Sequence, residues 1–261
     1  MALSSDQIQS VENVLKTSLR NKFQRYNPEP ASMPFHTRLL GKDRMALFSF
    51  IHSLNTNFGT SIFEPVAIEL ALVNFQSALS QQVAGTQISS QAHSIIQNIM
   101  DNLATANSNP DKPREIEAIR TVCQQGEMRK VKLTKVDIKL VAHDGMIYLF
   151  DLKTAKPNAG GFKEFKRTLL EWAAATLAGN PTANVHTLIA IPYNPYEPQP
   201  YNRWTMRGML DLQNELKVAE EFWDFLGGHG TFQQLLDIFE KVGIDLRIEI
   251  DEYFSKYSKK E

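Results

Sequence analysis

The stretch VDIKLVAHDGMIYLFDLKT, residues 136–154, restricts the fold of this chain more than any other feature. Asp144-Gly145 marks a tight turn, and the stretch reads as a β-hairpin that carries two aspartates and a lysine with nearly everything around them apolar. Loop length then decides which side chains meet. A two-residue loop, Asp144-Gly145, would set Asp137 opposite Leu152 and send Asp137 and Asp151 to opposite faces. A three-residue loop, His143-Asp144-Gly145, ends on a glycine suited to the left-handed conformation and sets Asp137 opposite Asp151. Only this second register places Val136, Ile138 and Leu140 across from Leu152, Phe150 and Tyr148 on one apolar face. Asp137, Lys139, Asp151 and Lys153 then share the other face. Two carboxylates held opposite each other repel, and an oxygen-seeking divalent cation relieves that repulsion. A lysine two residues along the strand would sit beside the ion.

With 261 residues and 43% hydrophobic content, the chain can build one large domain with a real core. Its start, MALSSDQ, has neither a basic region nor an apolar run, and its longest apolar stretch, 169–179, is interrupted by Glu171 and too short to span a bilayer. A cytoplasmic protein with no membrane partner is expected. The single Cys123 excludes an internal disulfide and any cysteine-based zinc site, and it reads as a small buried hydrophobe. Net charge is only -1, but its distribution is uneven: residues 129–167 hold ten Lys/Arg against four acids, so this segment carries +6 and the remainder -7. A basic segment on an otherwise acidic chain is the footprint of a localised phosphate-binding surface.

Apolar spacing predicts helices over 6–23, 42–54 and 61–79, with Ile62, Val66, Leu70 and Val73 on one face of the third. The hairpin is followed by a predicted helix over about 161–178 and a continuous β-rich run, VHTLIAIPY (185–193), of the kind found deep in a sheet. Two aromatic-rich helices are expected around 215–226 and 231–241. Strands with helices on both sequence sides predict an α/β domain with a three-layer α/β/α core and extra N-terminal and C-terminal helices. The organisation expected is one domain over 1–261: a mainly helical part at 1–110, the sheet core at 111–195, and a loop with C-terminal helices at 196–261.

Asp137, a spacer of thirteen residues, then Asp151-Leu152-Lys153 resembles the PD-(D/E)xK nucleases, with Val136 in place of the usual proline. FGTSIFEPVA (58–67) is similar to the first-helix glutamate motif of these enzymes; Glu64 carries over, and Glu69 is the fallback. PFHTRLLGKDRMALFSFIHSLNTNFGTSIFEPVA (34–67) and IPYNPYEPQPYNRWTMRGMLDL (191–212) resemble type II restriction endonucleases of the TdeIII type, whose members act on GGNCC. The resemblance implies a restriction-endonuclease-like fold with a mixed sheet. It also implies a Mg²⁺-dependent, sequence-specific cleavage of double-stranded DNA that leaves 5'-phosphate and 3'-hydroxyl ends. A homodimer in a prokaryotic cytoplasm is implied with it, paired in function with a cognate DNA methyltransferase.

Hydrolysis of a phosphodiester needs a water deprotonated near neutral pH and charge neutralisation at the scissile phosphate. Asp137, Asp151, the Leu152 backbone carbonyl and Glu64 are the expected metal ligands, and Lys153 is expected to orient the attacking water. For DNA, Arg203 and Arg207, with Asn202, are the expected base readers in a loop that follows a buried strand. Lys156, Lys163, Lys166 and Arg167 are expected to meet phosphates. The alternatives are a structure-specific repair or junction nuclease of the same fold, a non-catalytic DNA-binding module, and a protein-binding domain using the proline-rich loop.

Overall fold

The computed structural model describes residues 3–25, 34–153, 161–201, 206 and 208–258. Its centre is a five-stranded sheet in the order β1-β4-β5-β6-β7: β1 (Ser77–Gln82), β4 (Val136–Val141), β5 (Ile147–Leu152), β6 (Val185–Ile191) and β7 (Leu216–Val218). The hairpin forms in the expected register, Ile138 opposite Phe150 and Leu140 opposite Tyr148. Ala142 N–H bonds to Met146 O at 2.8 Å, closing the three-residue loop, and Gly145 takes φ 84°. β1 runs antiparallel to β4, while β6 runs parallel to β5 and β7 parallel to β6, so the sheet is mixed. A second, two-stranded sheet pairs β2 (Gln87–Ser89) with β3 (Met128–Lys130).

Helices cover both faces. On one lie α5 (Ser90–Ala104), α6 (Lys112–Val122) and α7 (Phe162–Gly179), whose Ile96, Ile119, Leu169 and Trp172 pack with Leu149 and Ile189. On the other lie α1 (Ser5–Arg25), α4 (Glu64–Ala71), α8 (Glu220–Gly227) and α9 (Thr231–Asp245), packed on Ile138, Leu140 and Phe150. This is the three-layer α/β/α core, with α10 (Arg247–Ser258) appended at the C-terminal end. Ahead of α4 stand α2 (Pro34–Leu40), α3 (Lys42–Phe58) and a π-helical turn, Gly59–Phe63. None of the described helices is long and apolar enough to cross a membrane. Cys123 is buried and free, as expected.

Two expectations are corrected. The helix expected to reach Leu79 stops at Ala71, leaving Leu72 and Val73 exposed, and the chain re-enters as β1. β1, SALSQQ, has no β-branched residue; its state comes from pairing with β4, not from propensity. The sheet therefore takes β1 from the part read as mainly helical and β7 from the part read as loop and helices. Leu149, on the same side of the hairpin as Asp151, is fully buried beneath α7.

Gly85 joins β1 to this layer by close approach. A Cβ there would stand 2.7 Å from the Ala175 carbonyl oxygen of α7, and backbone cannot move aside as a side chain can. Gly85→Ala should therefore destabilise the fold by about 1 to 3 kcal/mol, read as a lower midpoint in urea unfolding. An unchanged midpoint would show that the loop has room.

Candidate active site

β4 and β5 bring Asp137 and Asp151 together just beyond the last ladder pair, Ile138 with Phe150, close enough for each charge to be felt at the other. Asp137 is tied down by its own neighbour strand: its Oδ2 accepts the Leu152 N–H at 2.8 Å. Lys153 follows directly, and its Nζ lies 2.7 Å from Asp151 Oδ1. The same ammonium stands 4.5 Å from the ring centroid of Phe165 on α7. The strand end is held on the β6 side by backbone pairing, Lys153 N–H bonding to Ala190 O at 2.9 Å, and on the β4 side by the Asp137 carboxylate.

Glu64 reaches the same place from the other layer. The π-helical turn Gly59–Phe63 runs into α4, where Glu64 is the first residue and Pro65 suits the opening turn. Glu64 is buried, and its Oε2 accepts Gln81 Nε2 at 3.0 Å; the same nitrogen donates to Asp137 Oδ1 at 3.1 Å. Glu69 points elsewhere: its carboxylate accepts the Ser10 hydroxyl of α1. Of the two glutamates considered, Glu64 is the one that joins the aspartates.

Burial and like charge make this a strained electrostatic group. Burial is the largest influence on Asp151, and Asp137 adds to it; together they outweigh Lys153 and push the Asp151 carboxyl up to about 6. Burial also raises Glu64; the Gln81 amide offsets part of this, and the Asp137 charge adds to it. Three carboxylates with one neighbouring ammonium are a donor set of hard oxygens with unrelieved negative charge. Such a set fits a divalent cation of the Mg²⁺ kind.

The expected DNA contacts divide. Asn202, Arg203, Arg207 and Lys156 lie outside the described residues. Lys163 is exposed on the first turn of α7, and Arg167 Nη2 donates to Gln97 Oε1 at 2.9 Å. Lys166 is a correction. It is fully buried, with Nζ 2.5 Å from Glu115 Oε2 and 2.6 Å from Glu215 Oε2, so it is not available to a phosphate. Lys112 completes the cluster, 2.8 Å from Glu215 Oε1. Burial lowers Lys112 and raises Glu115. It also opposes the ionisation of Glu215, but the two ammonium groups prevail and hold that carboxyl below its usual range.

Among the described residues, the group of three whose ligand atoms all lie within 4.8 Å of one another is Glu220, Asp224 and His229; Asp137, Asp151 and Glu64 are spaced more widely than that. Asp224 is already engaged, accepting Gly230 N–H at 2.7 Å and Phe232 N–H at 2.9 Å, which fixes the turn into α9. That role accounts for its position.

Comparison with known proteins identifies the family. The family described as "Type II restriction endonuclease, HinfI" matches residues 3–243. The chain is similar to the type II restriction enzyme HgiCII of Herpetosiphon aurantiacus, at 27% identity over 221 residues, covering 83% of this chain and 80% of that protein. It is also similar to HgiEI of the same organism, at 28% over 222 residues with 83% and 79% covered. A relative from Methanocaldococcus jannaschii, the type II restriction enzyme MjaII, is 24% identical over 272 aligned positions, covering 93% of this chain and 72% of that protein.

Proposed function

The chain belongs to the HinfI family of type II restriction endonucleases, site-specific deoxyribonucleases, and from that premise we propose that Asp137, Asp151, Glu64 and Lys153 are its catalytic centre. The observation that carries this reading is the link from Asp137 to Glu64 through Gln81, beside Asp151 and its paired Lys153 ammonium. We read the whole of 1–261 as one PD-(D/E)xK nuclease domain. Asp137, Asp151, Glu64 and the Leu152 carbonyl would hold Mg²⁺, which when bound supplies charge neutralisation at the scissile phosphate and an acidified water. Lys153, braced by Asp151 and Phe165, orients the attacking water by donating to its oxygen. The buried floor formed by Leu149 and α7 keeps other water away from the acids. The products would be 5'-phosphate and 3'-hydroxyl ends.

The target we assign is GGNCC, on the strength of the resemblance of residues 34–67 and 191–212 to TdeIII-type enzymes. Guanine presents O6 and N7 in the major groove and is best read by a bidentate arginine, worth about 1 to 3 kcal/mol per contact. Arg203 and Arg207 are the readers in this proposal, with Asn202, while Lys156, Lys163 and Arg167 meet phosphates and set the salt dependence. Arg203→Ala or Arg207→Ala should then collapse the affinity ratio between specific and nonspecific duplexes, and Lys163→Ala should lower both affinities together. If both arginine variants keep the full ratio, the reading loop lies elsewhere.

A target with two-fold symmetry presents two equivalent scissile bonds, and one chain supplies one centre, so we propose a homodimer. The exposed apolar face of α2 and α3, with Phe35, Leu39, Leu47 and Phe48, leads into the turn before Glu64 and is the contact surface we assign. The enzyme would work in the prokaryotic cytoplasm beside a methyltransferase that protects the same sequence. Incubation of the purified protein with plasmid DNA and Mg²⁺ tests the function: discrete fragments ending at GGNCC are expected. A fixed set of other ends would reject the target, and diffuse products would favour a structure-specific nuclease.

A further inference from the structure

Gln81 has a backbone that its neighbours in β1 do not share. It adopts φ 54° one residue before the end of the strand, and the other described non-glycine residues with positive φ, Ala106 and Ala219, stand at helix ends. A side-chain-bearing residue held in the left-handed region costs of order 1 kcal/mol or more, and persists where surrounding structure requires it. The ladder pairs Ser80 with Ile138 and Gln82 with Val136, so Gln81 falls at the level of Asp137. The turn of the backbone aims the carboxamide between two acids from different layers. Both hydrogens of one amide nitrogen are used, one on Glu64 and one on Asp137. Since both partners are carboxylates, the nitrogen is the end of the amide that chemistry places there.

We propose that Gln81 is an additional ligand of the active-site cation and acts by turning its amide. Without a cation, its N–H groups hold Glu64 and Asp137 as a preformed pair against their mutual repulsion. A cation shared by those acids cannot face an N–H donor. Rotation about the terminal sp³–sp² torsion, which has broad two-fold minima, exchanges Nε2 for Oε1 with little movement of the rest of the side chain. The same residue then donates hydrogen bonds in one state and an oxygen ligand in the other. The inference rests on the reading of Glu64 and Asp137 as cation ligands.

Calorimetric titration of the DNA-free protein with Ca²⁺ tests this without reliance on turnover. Gln81→Gly keeps the left-handed backbone without strain and removes the amide. It should weaken Ca²⁺ binding by roughly tenfold or more. Gln81→Glu keeps an oxygen in place and should bind Ca²⁺ at least as tightly as the parent, while melting at lower temperature in chelator because it adds a third negative charge to the pair. Binding by Gln81→Gly as tight as or tighter than the parent would overturn the proposal, as would weaker binding by Gln81→Glu. Asp137→Asn separates the two levels of inference. If it abolishes Ca²⁺ binding while Gln81→Gly leaves it intact, only the role of Gln81 fails. If Asp137→Asn binds like the parent, the cation site itself is misplaced and the inference falls with it.

Discussion

Asp151→Asn should lower cleavage by roughly a thousandfold or more and, in the presence of chelator, make the protein more stable above pH 6. The first effect follows if Asp151 holds the cation and braces Lys153. The second follows from linkage. In the unfolded chain an aspartate loses its proton near pH 4, whereas burial and the adjacent Asp137 lift the folded carboxyl to about 6. The folded state therefore holds a proton that the unfolded state has already released, and stability falls as pH rises from about 4 to 6. Above pH 6 the penalty is present in full. At about 1.4 kcal/mol per pH unit it amounts to about 2 to 3 kcal/mol. Asparagine carries no charge and does not incur it. Unfolding midpoints at pH 5 and pH 8 in chelator should converge for the variant and diverge for the parent. A variant that cleaves at the parental rate, or that is less stable than the parent at pH 8, would sink the assignment.

Lys166→Met is the substitution expected to do most damage to the fold, about 3 to 5 kcal/mol. It leaves Glu115 and Glu215 facing each other in the interior with only Lys112 to balance them. Restoring neutrality with Glu215→Gln in the same chain should recover part of the loss. Urea unfolding reads both. The salt dependence of DNA binding by any folded fraction should match the parent, since this ammonium meets no phosphate. A Lys166→Met protein of parental stability with a shallower salt slope would return the residue to the DNA surface.

Lys166 shows where sequence reasoning stops. It lies three residues after Lys163 and next to Arg167, so it reads as one member of a basic helical face. Its partners are 51 and 49 residues away along the chain, and no local pattern reports them. The same limit explains β1 and Gln81. SALSQQ has neither alternation nor β-branched residues, so it becomes a strand only when β4 is beside it. A left-handed glutamine inside it leaves no trace in the letters. The hairpin was legible for the opposite reason: turn, alternation and register are all set within nineteen residues. Glu64 came to notice through its resemblance to a motif, and the structure adds its contact with Gln81, whereas Glu69 is bonded to Ser10.

β5 is hydrogen-bonded along both edges, antiparallel to β4 and parallel to β6, with a helical layer on each face. A strand so enclosed has almost no freedom left to lose. The relative positions of Asp151 and Lys153 are settled when the chain folds, and so is the orientation of the dipoles around them. In the proposed reaction the site therefore has little reorganisation to undergo as charge develops on the phosphate, and the entropy of ordering its charged groups is lost once, in folding, instead of at every turnover.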